Sequence, residues 1–203
     1  MNVIIEKKLP KTISKQIKVI SWNLDIENCN MEAKINEINE KNADIIMLQE
    51  SNPNIKFINY ISYETAKSHK GIISLFIHKR ICPELINVFK YNGILIYHLN
   101  TKFGQIIVAS IHLPPFNKIN DKILRSIAIY KMISFLKNEN LTKLPIIVGG
   151  NTNMQDDEHI RNLSEDILKD LCDGCRNENN YRTWSAKNNL NKKFNSELDN
   201  SLS

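Results

Sequence analysis

Short apolar runs that each close on polar residues recur along this chain, and they limit its fold more than any other feature. "IKVISWN" (17–23), "ADIIMLQE" (43–50), "GIISLFIHK" (71–79), "GQIIVASIHLPP" (104–115) and "LPIIVGGNTN" (144–153) read as buried strands. Pro114 and Pro115 stop the fourth run, because proline cannot donate to a sheet ladder. "ELINVFKYNGILIYHLN" (84–100) reads as an antiparallel hairpin with Asn92-Gly93 at its turn. Between the first two runs, Met31, Ile35 and Ile38 form one stripe of a helix that ends near Asn42. A longer helix is predicted over about 120–137, with its apolar stripe at Ile119, Ile123, Ile127 and Tyr130, flanked by Leu124, Ala128 and Phe135. A shorter helix near 164–171 and a strand near 181–185 follow, and "SELDNSLS" reads as the start of a further strand.

Hairpin-connected strands mixed with strand–helix alternation predict two mostly antiparallel sheets packed together, with helices outside. Polar residues recur where strands end: Asn23, Glu50, His112, Asn151 and Asn153. In such a sandwich, strand ends from separate stretches can converge on one site.

At 203 residues the chain fits one domain, with 1–16 as an N-terminal extension and 17–203 as the folded unit. The net charge of +5 permits a polyanionic partner without requiring one. No apolar run approaches the roughly 20 residues of a membrane span, and "MNVIIEKKLPK" lacks the core of a secretory signal. An intracellular setting, cytoplasmic or nuclear, is the expectation. Cys172 and Cys175 form a C-x-x-C, but no second close Cys or His pair is there to complete a four-ligand zinc site.

The order "SWN", "LQE", "SIHLPP", "GGNTN", "TW" and "LDN" resembles the endonuclease/exonuclease/phosphatase superfamily, most of all its 5′-tyrosyl-DNA phosphodiesterase branch. "SWNLD" is similar to that branch's W-N-x-D start, "GGNTN" to its G-G-D-T-N, and "YRTWSAKNN" to its Y-T-W segment. Each motif is short, and the specificity lies in six of them standing in order from about Lys18 to the end. The resemblance implies a DNase I-like four-layered α/β (α+β) sandwich and Mg²⁺- or Mn²⁺-dependent cleavage of a phosphodiester. It implies nucleic acid, or the end of a protein–DNA adduct, as partner, and no membrane. By it, Glu50 and Asn23 are the metal-side residues, and His112 lies near the scissile phosphate. Asn153 orients water and phosphate, Asp199 belongs to the catalytic set, and Trp184 lies beside the substrate channel. A Mg²⁺ ion is often held by only one or two carboxylates plus substrate phosphate, so Glu50 suits that role chemically.

The departures bear on activity. Asn151 stands at the position of the family's catalytic aspartate, and an amide is no general base. Gln155 replaces an arginine, so a charge that would offset the phosphoryl group is missing. Glu197 and Asn200 replace the arginines that flank Asp199, and the family's final S-D-H motif would lie beyond Ser203. Ala128 stands where the long helix would carry a glutamine, although Arg125 is kept. Two readings follow. One is a degenerate homologue with little or no turnover that keeps nucleic-acid or phosphate binding and holds its metal weakly. The other is an active, divergent phosphodiesterase in which Asp156, Asp157 or Glu158 supplies the acid.

Overall fold

The apolar runs form strands, and the strands form two sheets. The structure, a computed structural model, describes residues 4–6, 17–25, 31–115 and 118–153. The expectations for 164–171, 181–185, the C-x-x-C, Asp156, Asp157, Glu158, Gln155, Trp184 and Asp199 lie outside the described residues. In chain order the elements are β1 (Ile4–Glu6), β2 (Val19–Asn23), α1 (Met31–Lys41), β3 (Ile45–Ser51), β4 (Tyr60–Ile61) and β5 (Thr65–Lys67). Then come β6 (Ile72–His78), β7 (Glu84–Tyr91), β8 (Ile94–Thr101), β9 (Gly104–His112), α2 (Ile119–Asn138) and β10 (Ile146–Asn151).

One sheet has the order β1-β10-β9-β8-β7, and the other β2-β3-β6-β4 with β5 also on β6. Pairing is antiparallel except for β9–β10 and β2–β3. Each parallel pair is joined through a helix, as a crossover connection requires. Ile4–Glu6, from the stretch read as an N-terminal extension, pairs antiparallel with β10 and edges the first sheet.

Alternation along the strands sorts side chains into three apolar layers. Ile45, Met47, Leu75 and Ile77 of one sheet meet Leu95, Tyr97, Leu99, Ile106 and Val108 of the other. The opposite faces take the helices. Ile46, Leu48 and Phe76 pack with Ile38 of α1, and Ile94, Ile96, Ile107 and Ala109 pack with α2. This is the expected four-layered sandwich, with helices outside two mostly antiparallel sheets.

The long helix departs from expectation in its orientation. Ile119, Ile123, Ile127 and Tyr130, read as its apolar stripe, are exposed. The buried face is Arg125, Ala128, Ile129, Met132, Ile133 and Leu136. Both faces of α2 are rich in apolar residues, so periodicity alone does not select the one that packs. Each aliphatic side chain buried there contributes about 1.5–3 kcal/mol. Arg125 is fully buried and donates from Nη1 to the Pro114 carbonyl at 2.6 Å, tying α2 to the loop that leaves β9.

Candidate active site at the strand ends

Four strands from the two sheets end at one place. In the parallel pair β9–β10, His112 stands opposite Asn151, and in β2–β3 Asn23 stands opposite Gln49. Gln49 is fully buried and donates to Ser110 Oγ at 2.9 Å and to Ser21 Oγ at 3.3 Å. It bridges the sheets just beneath the site.

Glu50 would follow Ile46 and Leu48 toward α1 if β3 kept its alternation. Instead the register of β3 against β6 shifts between Leu48 and Ser51, and Glu50 takes a φ of +49°. Bulges of this kind re-aim side chains at sites, and a non-glycine residue at positive φ is held there by its surroundings. The Glu50 side chain is 9% exposed. Its Oε1 accepts from Asn23 Nδ2 at 2.9 Å and lies 3.4 Å from His112 Nε2. Its Oε2 is buried, makes no aligned hydrogen bond, and faces the Lys70 ammonium at 3.0 Å. The same ammonium lies 2.9 Å from Asp25 Oδ1. Asn23 Oδ1 in turn accepts from the Asp25 backbone N–H at 3.0 Å.

His112 is almost fully buried, and its Nδ1 lies 3.1 Å from Ser68 Oγ. The His69 ring sits 4.6 Å from it, centroid to centroid. Burial above all, then the His69 ring and the Lys70 ammonium, push the His112 pKa down to about 3. His112 is therefore a neutral imidazole at physiological pH. Burial also lowers the pKa of His69.

The glycine turn closes the site. Gly150 has a φ of +133°, and a Cβ there would stand 2.0 Å from the Ile111 carbonyl oxygen, so only glycine fits. Asn151 Oδ1 accepts from the Asn153 backbone N–H at 3.0 Å, an Asx-turn. Asn153, itself at a φ of +51°, donates from Nδ2 to the Leu113 carbonyl at 2.7 Å. Both amides thus brace the turn.

The structure brings together Asn23, Glu50, His112, Asn151 and Asn153 from the sequence-derived set. Asp25, Ser68, His69 and Lys70 join them. Asp25 was visible as the last letter of "SWNLD", but the 68–70 loop carried no signal. His78 accepts from the Arg80 N–H and His98 pairs with Gln105, which are structural roles. Trp22 is half-buried beside Ile20 against the α1 core. Among the described residues no three His, Cys, Asp or Glu side chains gather as for a tight metal centre. The two carboxylates that do converge are occupied by an ammonium, so the arrangement does not fit a firmly held Mg²⁺ or Mn²⁺. No helix among the described residues is long and apolar enough to cross a membrane.

No family model matches the sequence, and no match is found among curated proteins. Solved structures do match. Humanized D. rerio TDP2, carrying 14 mutations, aligns with a TM-score of 0.60 and 17% identity, over 73% of this chain and 66% of that one. D. rerio TDP2 complexed with a single strand DNA product gives a TM-score of 0.57 and 16% identity, over 72% and 64%. The catalytic domain of human Nocturnin with bound sulfate gives 0.53 and 17%, over 83% and 70%. The chain thus spans just under two thirds of these two D. rerio TDP2 structures and about half of TDP2 from C. elegans. At these identities the likeness shows the fold alone: the chain has a DNase I-like architecture, with TDP2 and Nocturnin among its structural neighbours.

Proposed function

We propose that this chain is a degenerate homologue of a Mg²⁺-dependent phosphodiesterase of the tyrosyl-DNA phosphodiesterase type, with little or no turnover and with nucleic-acid or phosphate binding retained. The observation that carries the reading is Asn151. Its amide stands where the fold would deliver a base, and its oxygen is engaged by the Asn153 N–H. Among the described residues, neither Glu50 nor His112 takes over. Glu50 is held by Asn23 and Lys70, and His112 with a pKa of about 3 is too weak a base to matter at neutral pH. General-base catalysis contributes about 10²–10⁴-fold, which is the scale of the loss.

Mg²⁺ or Mn²⁺ enters this reading as a weakly bound ligand of Glu50 and Asn23. The partner is a nucleic-acid end or a protein–DNA adduct end. That choice is supported by the net charge of +5 and by the shared fold with a TDP2 structure that holds a single strand DNA product. Trp184 and Gln155 would then lie beside the bound strand and Asp199 with the catalytic set. The setting that suits such a partner is intracellular, nuclear or cytoplasmic.

A second reading, an active divergent phosphodiesterase, is favoured by the convergence of Asn23, Glu50 and His112. Cleavage of a 5′-phosphotyrosyl oligonucleotide in Mg²⁺ separates the two. No cleavage above background is expected from the wild type. Cleavage that disappears in Glu50→Ala would replace the first reading by the second. Asn151→Asp adds a further arm: cleavage gained by that variant alone would mean that the lost acid is the main defect.

A further inference from the structure

Among the described residues, Lys70 stands where two carboxylates of the site converge. Its Nζ lies 3.0 Å from Glu50 Oε2 and 2.9 Å from Asp25 Oδ1. Asp25 follows the end of β2 and Glu50 sits on the bulge of β3, so two strands deliver opposing negative charges to one point. We propose that Lys70 is the resident cation of a two-carboxylate site, and that its ammonium keeps divalent metal ions out. This deepens the function proposed above, because it gives the weak metal binding a cause; it does not depend on whether turnover has been lost.

Three features hold the ammonium in place. Lys70 is half-buried, and its loop is a closed turn: the Ser68 N–H donates to the Gly71 carbonyl at 3.2 Å, and Ser68 Oγ donates to the Lys70 carbonyl at 2.8 Å. Ser68 is anchored in turn at His112 Nδ1. Gly71, at a φ of +70°, lets the chain lie against the Glu50 backbone; a Cβ there would come within 3.2 Å of Glu50 Cα. Finally, Glu50 Oε2 is buried without an aligned hydrogen bond, so its compensation is charge.

A divalent ion would meet the same need at the same point. Mg²⁺ binds oxygen at about 2.0–2.1 Å and is often held by one or two carboxylates. Both oxygens would close in by about an ångström around an ion at the Nζ position, and the ammonium would have to leave. Two cations cannot share that position, because they would occupy the same volume and like charges this close repel. Binding of Mg²⁺ by the wild type therefore carries the cost of expelling Lys70, and removing Lys70 frees the site.

The test measures ion binding, not turnover. Thermal unfolding is followed with EDTA or with about 10 mM MgCl₂, a range in which a weak site still shifts the midpoint. The proteins are the wild type, Lys70→Met, Lys70→Gln, and Lys70→Gln combined with Glu50→Gln. The wild-type midpoint is expected to move far less than that of either single variant. Both single variants are expected to gain several degrees in Mg²⁺, corresponding to at least about tenfold tighter binding than wild type. The double variant is expected to lose that gain. If Lys70→Met is unfolded in EDTA, Mg²⁺ is expected to restore its far-ultraviolet circular dichroism. A wild type that gains as much as the variants, single variants that gain nothing, or a gain that survives Glu50→Gln would each overturn the proposal. Cleavage by the wild type would overturn the degenerate reading and leave this test standing.

Discussion

Glu50 reaches the site because a single residue breaks the alternation of β3, and the turn opposite depends on another such residue. Gly150 lies against the β9 backbone, with the Ile111 oxygen 2.0 Å from where a Cβ would be. Backbone atoms on a central strand cannot move aside cheaply. Gly150→Ala is expected to destabilise the protein by about 3 kcal/mol or more, combining backbone strain with a clash. Gly104→Ala is the control. It also forces alanine to positive φ, at +103°, but its Cβ would meet nothing within 4 Å. Its cost should be confined to strain, about 1–2 kcal/mol. Urea unfolding of the two variants checks the difference, and equal costs would mean that the close packing of β10 on β9 is not what requires Gly150.

At the scale of elements, α2 separates what packs from what is merely apolar. Ile129 is buried among Ile107, Ala109 and Ile111, whereas Ile123 is about half exposed. Ile129→Ala is expected to cost about 2–4 kcal/mol, and Ile123→Ala no more than about 0.5 kcal/mol beyond its small change in helix propensity. A reversed order in urea unfolding would put the sequence-derived stripe back in the core. That stripe misled because Ile and Leu occur on both sides of the helix, and the packed side includes Arg125, which a hydrophobicity pattern assigns to solvent. The strands were easier to read. Apolar runs, the Asn92-Gly93 turn and the Pro114-Pro115 stop each carry a local cause, and seven strands, β2, β3 and β6–β10, fall where those causes put them. The short β4 and β5 have no such signal and exist because β6 offers an edge. The site divides the same way. Asn23, Glu50, His112 and Asn151 were legible because each closes an apolar run. Lys70 was not, because its partners, Glu50 and Asp25, are 20 and 45 residues earlier in the chain and meet it only where β2, β3 and β6 pair in one sheet.

At the scale of the whole molecule, His112 couples the two sheets. It ends β9 in one sheet, and its ring lies 3.4 Å from Glu50 at the end of β3 in the other. The cost of charging it is therefore paid by the sandwich. In the unfolded chain histidine titrates near 6.5, whereas the buried ring titrates at about 3. Between these values the unfolded state binds a proton that the folded state refuses. Stability from this group is thus fully present above pH 6.5 and is lost as pH falls toward 3, at about 1.4 kcal/mol per pH unit. From pH 7 to pH 5 the loss from His112 alone should be about 2 kcal/mol. His69 and His78, also lowered by burial, act in the same direction, but they are present in both proteins of the comparison. His112→Gln keeps a polar side chain that can bond to Ser68 and does not titrate. It should therefore be less stable than wild type at pH 7 and close that gap by about 2 kcal/mol at pH 5, as read from urea unfolding at the two values. A gap that stays constant would mean that the buried ring does not refuse the proton.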